Sequence, residues 1–222
     1  MLQLEVEKNP KPPNLSKPTI ELLTKLCFRR NDPLEKVDGI FVFSTSTYVK
    51  ELTDLIINLI QKNLTHNIFI TGGVGVESKE LGKTQIEAKL ILETINKNQF
   101  SNINFFTENI STNSLENVTE MLKVKDFLDF KKILFIFKAH AAGRGYLTLR
   151  RFLPNTKILQ KTFCVKYPNS KKEINRDNWH TFNFGSSRVW GEYLRIKKYG
   201  QRGDIEYEEI KDLVKEIENS IK

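Results

Sequence analysis

Ten consecutive residues, Glu108-Asn109-Ile110-Ser111-Thr112-Asn113-Ser114-Leu115-Glu116-Asn117, carry carboxylate, amide or hydroxyl groups at all but two positions. Glu108 is a carboxylate able to accept hydrogen bonds from ribose hydroxyls or to act as a base. Ser111 and Thr112 fall at a predicted helix N-terminus, where backbone N–H groups suit a phosphate or carboxylate. Asn113 and Glu116, three residues apart, form a capping-box-like pair, so part of the cluster starts the helix. Capping does not require every polar position, which leaves the rest, including Asn117, as candidates for a ligand. Gly72-Gly73-Val74-Gly75 is a second cluster. Its glycines allow a tight turn and a close approach of backbone donors to an anion. A third group, Lys138, His140 and Arg144, could neutralise an anion or move a proton, with His140 and Arg144 one helical turn apart.

These clusters need elements to hold them, and the pattern supplies them. Apolar runs at Val37–Phe43, Asn67–Thr71, Ile103–Thr107 and Ile133–Phe137 each stop at a polar cluster and then turn helical. The first run ends on Ser44-Thr45-Ser46-Thr47, and the second on Thr71 and the glycines. Nearly continuous apolar strands are those of a parallel sheet covered on both faces. Ligands of such folds bind beyond the carboxyl ends of the strands, which is where the polar clusters fall. Helices are predicted over Thr19–Phe28, Thr47–Lys62, Gln85–Lys97, Ser114–Leu128, Ala141–Phe152, Ser186–Tyr199 and Glu206–Ile221. A fifth strand is predicted near Lys157–Val165, and a polar loop over Pro168–Asn178. The fold class is therefore α/β: a Rossmann-like, doubly wound, mostly parallel sheet of about five strands, with helices on both faces and a C-terminal helical extension. Three segments of one domain follow: an N-terminal arm and helix (1–36), the α/β core (37–166) and the extension (167–222).

Other chemistries are argued against by spacing. Gly82-Lys83-Thr84 ends like a P-loop, but six residues separate Gly75 from Gly82 where that motif has four. Ile133–Phe137 also ends without the acidic residue that would hold magnesium. No Cys/His/Asp spacing suggests zinc and no Gly-x-Ser-x-Gly elbow suggests a hydrolase triad, so no metal site is expected. Cys27 and Cys164 each have bulky apolar neighbours and read as buried thiols.

The chain has 222 residues, 39% hydrophobic and 28% charged, the composition of an ordinary globular protein. No apolar stretch has the length of a membrane span, and Met1–Lys8 lacks the features of a signal peptide. A cytoplasmic location is the expectation. The formal charge of +8 is dispersed among acidic residues with no nucleic-acid motif. A solvated basic surface, or attraction for an anionic small molecule, is the expectation rather than nucleic-acid binding.

The chain resembles YdcF-type proteins of the bacterial superfamily that includes SanA and ElyC. The resemblance runs from Asp38 past Asp204 and rests on Asp38-Gly39-Ile40-Phe41-Val42, Ile70-Thr71-Gly72-Gly73, Ile86-Glu87-Ala88, and Glu108 with Ser111-Thr112-Asn113 and Glu116-Asn117. The tail, Gly191-Glu192-Tyr193-Leu194-Arg195 and Tyr199-Gly200-Gln201-Arg202-Gly203, is similar to the YdcF branch. The membrane anchors of SanA and ElyC relatives are not seen here, and His140 and Arg144 stand four apart where many relatives have the pair closer.

The resemblance implies a nucleotide-type ligand, S-adenosylmethionine foremost, in a cleft at the strand ends, with a possible transferase activity. On that reading Ser44, Thr45, Thr71, Gly72, Gly73, Gly75, Ser111, Thr112, Asn113, Asn117, Lys138 and Arg144 bind the ligand. Glu108, His140 and Glu87 carry any acid–base chemistry. Two alternatives stand beside it: a phosphoester hydrolase or phosphoryl-handling enzyme, and a non-catalytic protein of cell-envelope homeostasis.

Overall fold

The computed structural model describes residues 6–76, 79, 82, 84–166 and 172–221. Lys83, in the stretch that resembles a P-loop end, and residues 168–171 of the expected loop lie outside them. By its internal contacts the chain forms two compact units. The first is Asn31–Phe137 with Phe152–Phe163; the second comprises the described parts of Leu4–Arg30, Lys138–Arg151 and Cys164–Lys222.

The first unit holds the sheet. Its strands are β1 (Gly39–Phe43), β2 (Asn67–Thr71), β3 (Asn104–Thr107), β4 (Lys132–Lys138, whose last residue opens the second unit) and β5 (Lys157–Phe163). Their order is β3-β2-β1-β4-β5, and β1 runs parallel to both β2 and β4, as β2 does to β3. With the helices around the sheet this is a Rossmann-like α/β fold. All five residues of β1 are buried, as a central strand covered on both faces requires. The order reverses between β1 and β4, and that is the switch point of such a sheet.

An aromatic core fills this unit. Phe69 stacks on Phe106 at 5.0 Å and meets Phe127 at 4.6 Å, while Phe43 meets Phe137 at 4.5 Å near the tips of β1 and β4. Asp38 fixes the opposite end of the same two strands. One of its carboxylate oxygens accepts the N–H groups of Lys131 (2.7 Å) and Lys132 (2.8 Å).

Helices α2 (Val49–Gln61), α3 (Glu87–Ile95) and α4 (Ser114–Val124) follow β1, β2 and β3. Helix α2 buries Leu52, Ile56, Leu59 and Ile60, one stripe at helical spacing. It starts two residues later than the pattern predicts because the Thr47 N–H turns back to the Thr45 hydroxyl (3.3 Å). Helix α3 stops two residues early, at Asn96, which adopts a left-handed φ of 52°. Helix α4 stops four residues early: Lys125 is extended, and the chain turns to bury Phe127.

The second unit is largely helical: α1 (Lys17–Cys27), α5 (Ala142–Phe152, its last residue in the first unit), α6 (Asn183–Arg202) and α7 (Lys211–Ser220), with a two-stranded antiparallel pair, β6 (Val165–Lys166) and β7 (Glu173–Ile174). Within it α1 packs on α6 and α7. Trp179 is fully buried and donates its indole N–H to the Thr24 hydroxyl (2.8 Å). Cys27 is buried as expected, whereas Cys164 is only half-buried. Among the described residues no helix is long and apolar enough to cross a membrane.

Candidate functional site

Thr71 ends β2 with its side chain fully buried. Its hydroxyl donates to the Val42 carbonyl of β1 (2.8 Å) and accepts from the Asn117 amide of α4 (2.6 Å). The two residues tie the tips of β1 and β2 to α4, the helix that follows β3.

The glycine loop then closes on the Glu108 cluster. Gly72 takes a φ of 132°, a backbone conformation that side chains disfavour. Its N–H donates to one Glu108 carboxylate oxygen (2.5 Å), and the Ser111 hydroxyl donates to the same oxygen. The other oxygen accepts the N–H groups of Ile110 (3.0 Å) and Ser111 (3.1 Å). Gly73 donates its N–H to the Ser111 carbonyl (2.9 Å). A Cβ on Gly73 would stand 2.7–2.8 Å from backbone atoms of Asn109, Ile110 and Ser111, so only glycine lets the two loops touch. The carbonyls of Gly72 and Gly73 accept the N–H groups of Ala88 (2.8 Å) and Glu87 (3.0 Å), which starts α3.

This geometry gives Glu108 a different task from the one read in the sequence. With four donors on a buried carboxylate, its lone pairs are occupied by the protein and the group fastens two loops. The loop glycines likewise differ from expectation, because the N–H groups of Gly72 and Gly73 face the protein instead of an anion. Gly75 accepts the Lys79 N–H at 3.0 Å. Thr112 and Asn113 serve the start of α4. The Glu116 carboxylate accepts the Thr112 N–H (2.7 Å), the Thr112 hydroxyl (2.9 Å) and the Asn113 amide (2.8 Å). The Asn113 side chain accepts the N–H groups of Leu115 and Glu116, both at 3.0 Å. Helix initiation therefore occupies Thr112 and Asn113 as well as Glu116.

At the tip of β1 the pattern changes. Ser44 is 8% exposed, and its buried hydroxyl has no hydrogen-bond partner. Its Cβ is 3.0 Å from the point where a Cβ on Gly72 would stand; the Glu87 Cβ is 3.2 Å and the Glu87 Oε2 3.5 Å from that same point. The Ser44 and Glu87 side chains thus pack closely over Gly72 and leave no room for a side chain there. The Asn109 side-chain oxygen is likewise buried without a partner. Nothing in the spacing of the 108–117 cluster singles out Asn109 from its polar neighbours.

A groove of about 580 Å³ runs along the edge strand β3, lined by Phe100, Ile103, Asn104 and Phe105 among others. It includes none of the residues above.

Lys138, His140 and Arg144 belong to the second unit. There Arg144 grips Glu192 of α6 with two hydrogen bonds, Nε to Oε2 (2.7 Å) and Nη2 to Oε1 (3.3 Å). Arg195 adds a third, from Nη1 to Oε1 (3.2 Å), and its other nitrogen reaches the Glu7 carbonyl (3.0 Å). Burial pushes the Glu192 carboxyl up, but the two guanidiniums overcome it and hold its pKa at about 2. His140 is 3% exposed, and burial drives its pKa down to about 3, with Arg188, Lys138 and Arg144 acting in the same direction against Glu192. Its Nδ1 has no hydrogen-bond partner. His140 is therefore a neutral, buried imidazole, and Arg144 is engaged by a carboxylate within its own unit. Glu192 and Arg195 escaped the site reading, although they fall in register with the buried Val189, Tyr193 and Ile196 of the same helix.

The distribution of charge follows the same division. The first unit has 13 Lys and Arg against 14 Asp and Glu; the second has 22 against 13. The basic excess that suggested an anionic ligand is thus a property of the second unit rather than of the Gly72–Glu108 loops. Among the described residues no three His, Cys, Asp or Glu side chains come together as a metal-binding group. No protein-family model matches the chain, and no curated protein matches it.

Proposed function

We propose that this chain is a YdcF-like protein whose first unit binds a nucleotide-type ligand at the carboxyl ends of its strands, with S-adenosylmethionine the leading candidate. The observation that carries the reading is the Ser44 hydroxyl. It is buried and unpartnered at the tip of β1, the central strand beside the switch point. A buried hydroxyl without a partner costs about 1–3 kcal/mol, and a ligand atom that pairs with it removes that cost. Thr71, Asn117, Gly72, Gly73, Glu108 and Ser111 support the site by fixing the loops around it. The phosphoester alternative needs open backbone donors, and those of Gly72, Gly73, Ser111 and Thr112 already have partners.

Calorimetry of the full chain against S-adenosylmethionine, S-adenosylhomocysteine and ATP tests the proposal. S-adenosylmethionine is expected to bind, and Ser44→Ala to weaken it by about tenfold through one lost hydrogen bond. Heat from none of the three would overturn the reading.

A further inference from the structure

We propose that the open edge of β3 pairs antiparallel with β3 of a second copy of this chain, each Ile110 seating in the other copy's edge groove. This pairing is independent of the ligand reading above.

The two edges of the sheet differ in how they are covered. Along β5 the chain covers its own strand. The Gln160 N–H donates to the Asp32 carboxylate (2.9 Å), the Asp32 N–H to the Gln160 carbonyl (3.2 Å) and the Thr162 N–H to the Asn31 side chain (2.8 Å). Beyond β3 no strand lies among the described residues. Toward β2, the Asn104 N–H donates to the His66 carbonyl (2.7 Å) and the Glu108 N–H to the Ile70 carbonyl (3.2 Å). Backbone groups alternate sides along a strand, so those of Phe105 and Thr107 face away from β2. Asn104–Thr107 holds no charge and no proline, two of the devices that keep bare edges apart.

The open residues fix the register. In an antiparallel pair, residues that exchange both hydrogen bonds sit directly opposite each other. Setting Phe105 opposite the partner's Thr107, and Thr107 opposite the partner's Phe105, uses every open group of both strands. Setting Phe105 opposite the partner's Phe105 would place Thr107 against the partner's Ile103. The N–H of Ile103 is already spent on the Phe100 carbonyl (3.0 Å). Setting Thr107 opposite the partner's Thr107 would call on Asn109, beyond the end of the strand.

What marks the occupant as a second copy is the fit between two features of one chain. Ile110, three residues past the strand, is 74% exposed. Phe100, Ile103 and Phe105 line the groove of about 580 Å³ toward the start of the strand. Antiparallel pairing brings the end of each β3 to the start of the other. In the register above, Ile110 falls level with the partner's Asn102, between the Ser101 and Ile103 positions of the groove lining. Charge permits the approach. The first unit has 13 Lys and Arg against 14 Asp and Glu, so two copies meet there without the repulsion of the basic second unit.

Sedimentation velocity of the full chain between about 5 and about 200 µM tests the pairing. A reversible dimer is expected, and two variants are expected to break it. Ile110→Asp changes an exposed side chain, keeps the fold and is expected to raise the dimer dissociation constant about 100-fold or more. Thr107→Pro removes an outward N–H while the bonds to β2 remain, and is expected to abolish the dimer. Circular dichroism of both variants checks that they keep the wild-type fold. A monomer throughout the range would overturn the proposal and leave the edge to an extended segment of another protein. A dimer that withstands Ile110→Asp, or withstands a folded Thr107→Pro, would overturn it by placing the contact elsewhere.

Discussion

Glu108→Ala is expected to lower the unfolding free energy by about 4 kcal/mol, because it strands three backbone N–H groups and a hydroxyl at once. The four donors are those of Gly72, Ile110, Ser111 and the Ser111 side chain. A buried donor left without an acceptor costs about 1–3 kcal/mol, and water entering the space recovers part of the sum. Glu108→Gln keeps one oxygen but turns an amide N–H₂ toward donors, so an intermediate loss of about 2 kcal/mol is expected. Urea unfolding followed by circular dichroism measures both. The pair of variants also separates two roles for this residue. A catalytic base would lose activity on Glu108→Gln with stability nearly intact. A clamp loses stability first, and with it the contact between the two loops that Gly72 and Gly73 make. A loss below about 1 kcal/mol for Glu108→Ala would show that the four bonds do not hold the loops.

How much of this was legible in the chain depends on what each signal measures. The sheet was legible because a central parallel strand has no solvent face, so Gly39–Phe43 and Ile133–Phe137 read as unbroken apolar runs. Strand ends were legible for the same reason; hydrogen bonds there link Thr71 to Asn117, and Gly72 and Gly73 to Glu108 and Ser111. Helix ends were less so. They depend on single local bonds, such as Thr47 to Thr45, or on one left-handed residue, Asn96. The β6–β7 pair has two residues per strand, too few to show any period.

What a polar cluster does with its hydrogen bonds was legible only where a spacing rule applies, as at Asn113 and Glu116, which cap the helix. Composition reports that donors and acceptors are present at 108–117, and only coordinates show that Glu108 and Glu116 face inward to Ser111 and Thr112. Cys164 shows a different failure. Its neighbours Phe163 and Val165 are buried, and successive side chains of an extended segment point to opposite faces. Two buried neighbours therefore argued for the exposure of Cys164, not for its burial. Glu192 was missed for a related reason: a glutamate between arginines on a helix is usually solvated, and its register with Val189 and Ile196 was the better guide.

That buried cluster gives the second large effect, a dependence of stability on acid. Folded His140 titrates at about 3, against an ordinary histidine value of 6.5. Between those values the unfolded chain binds a proton that the folded chain refuses. Stability is then fully present above pH 6.5 and falls by about 1.4 kcal/mol per pH unit as pH drops below it. Glu192 acts in the same direction lower down. Its carboxyl titrates at about 2 when folded and near 4.5 otherwise, so its contribution is lost as pH falls from 4.5 toward 2. The expected profile is flat above pH 7, falls with one slope to about pH 4.5, and steepens below as the second proton joins.

His140→Asn should remove the first slope while leaving the second. His66 and His180 are exposed and cannot substitute for a buried imidazole. Glu192→Gln should do the opposite at low pH, but from a lower starting stability. It leaves Arg144 and Arg195 buried beside a neutral group, a change that costs about 3–5 kcal/mol. Urea unfolding at a series of pH values reads both slopes. Parallel profiles for the wild-type chain and His140→Asn between pH 6.5 and 4.5 would show that His140 takes up its proton as readily folded as unfolded. The buried, neutral imidazole would then be the wrong description of this residue.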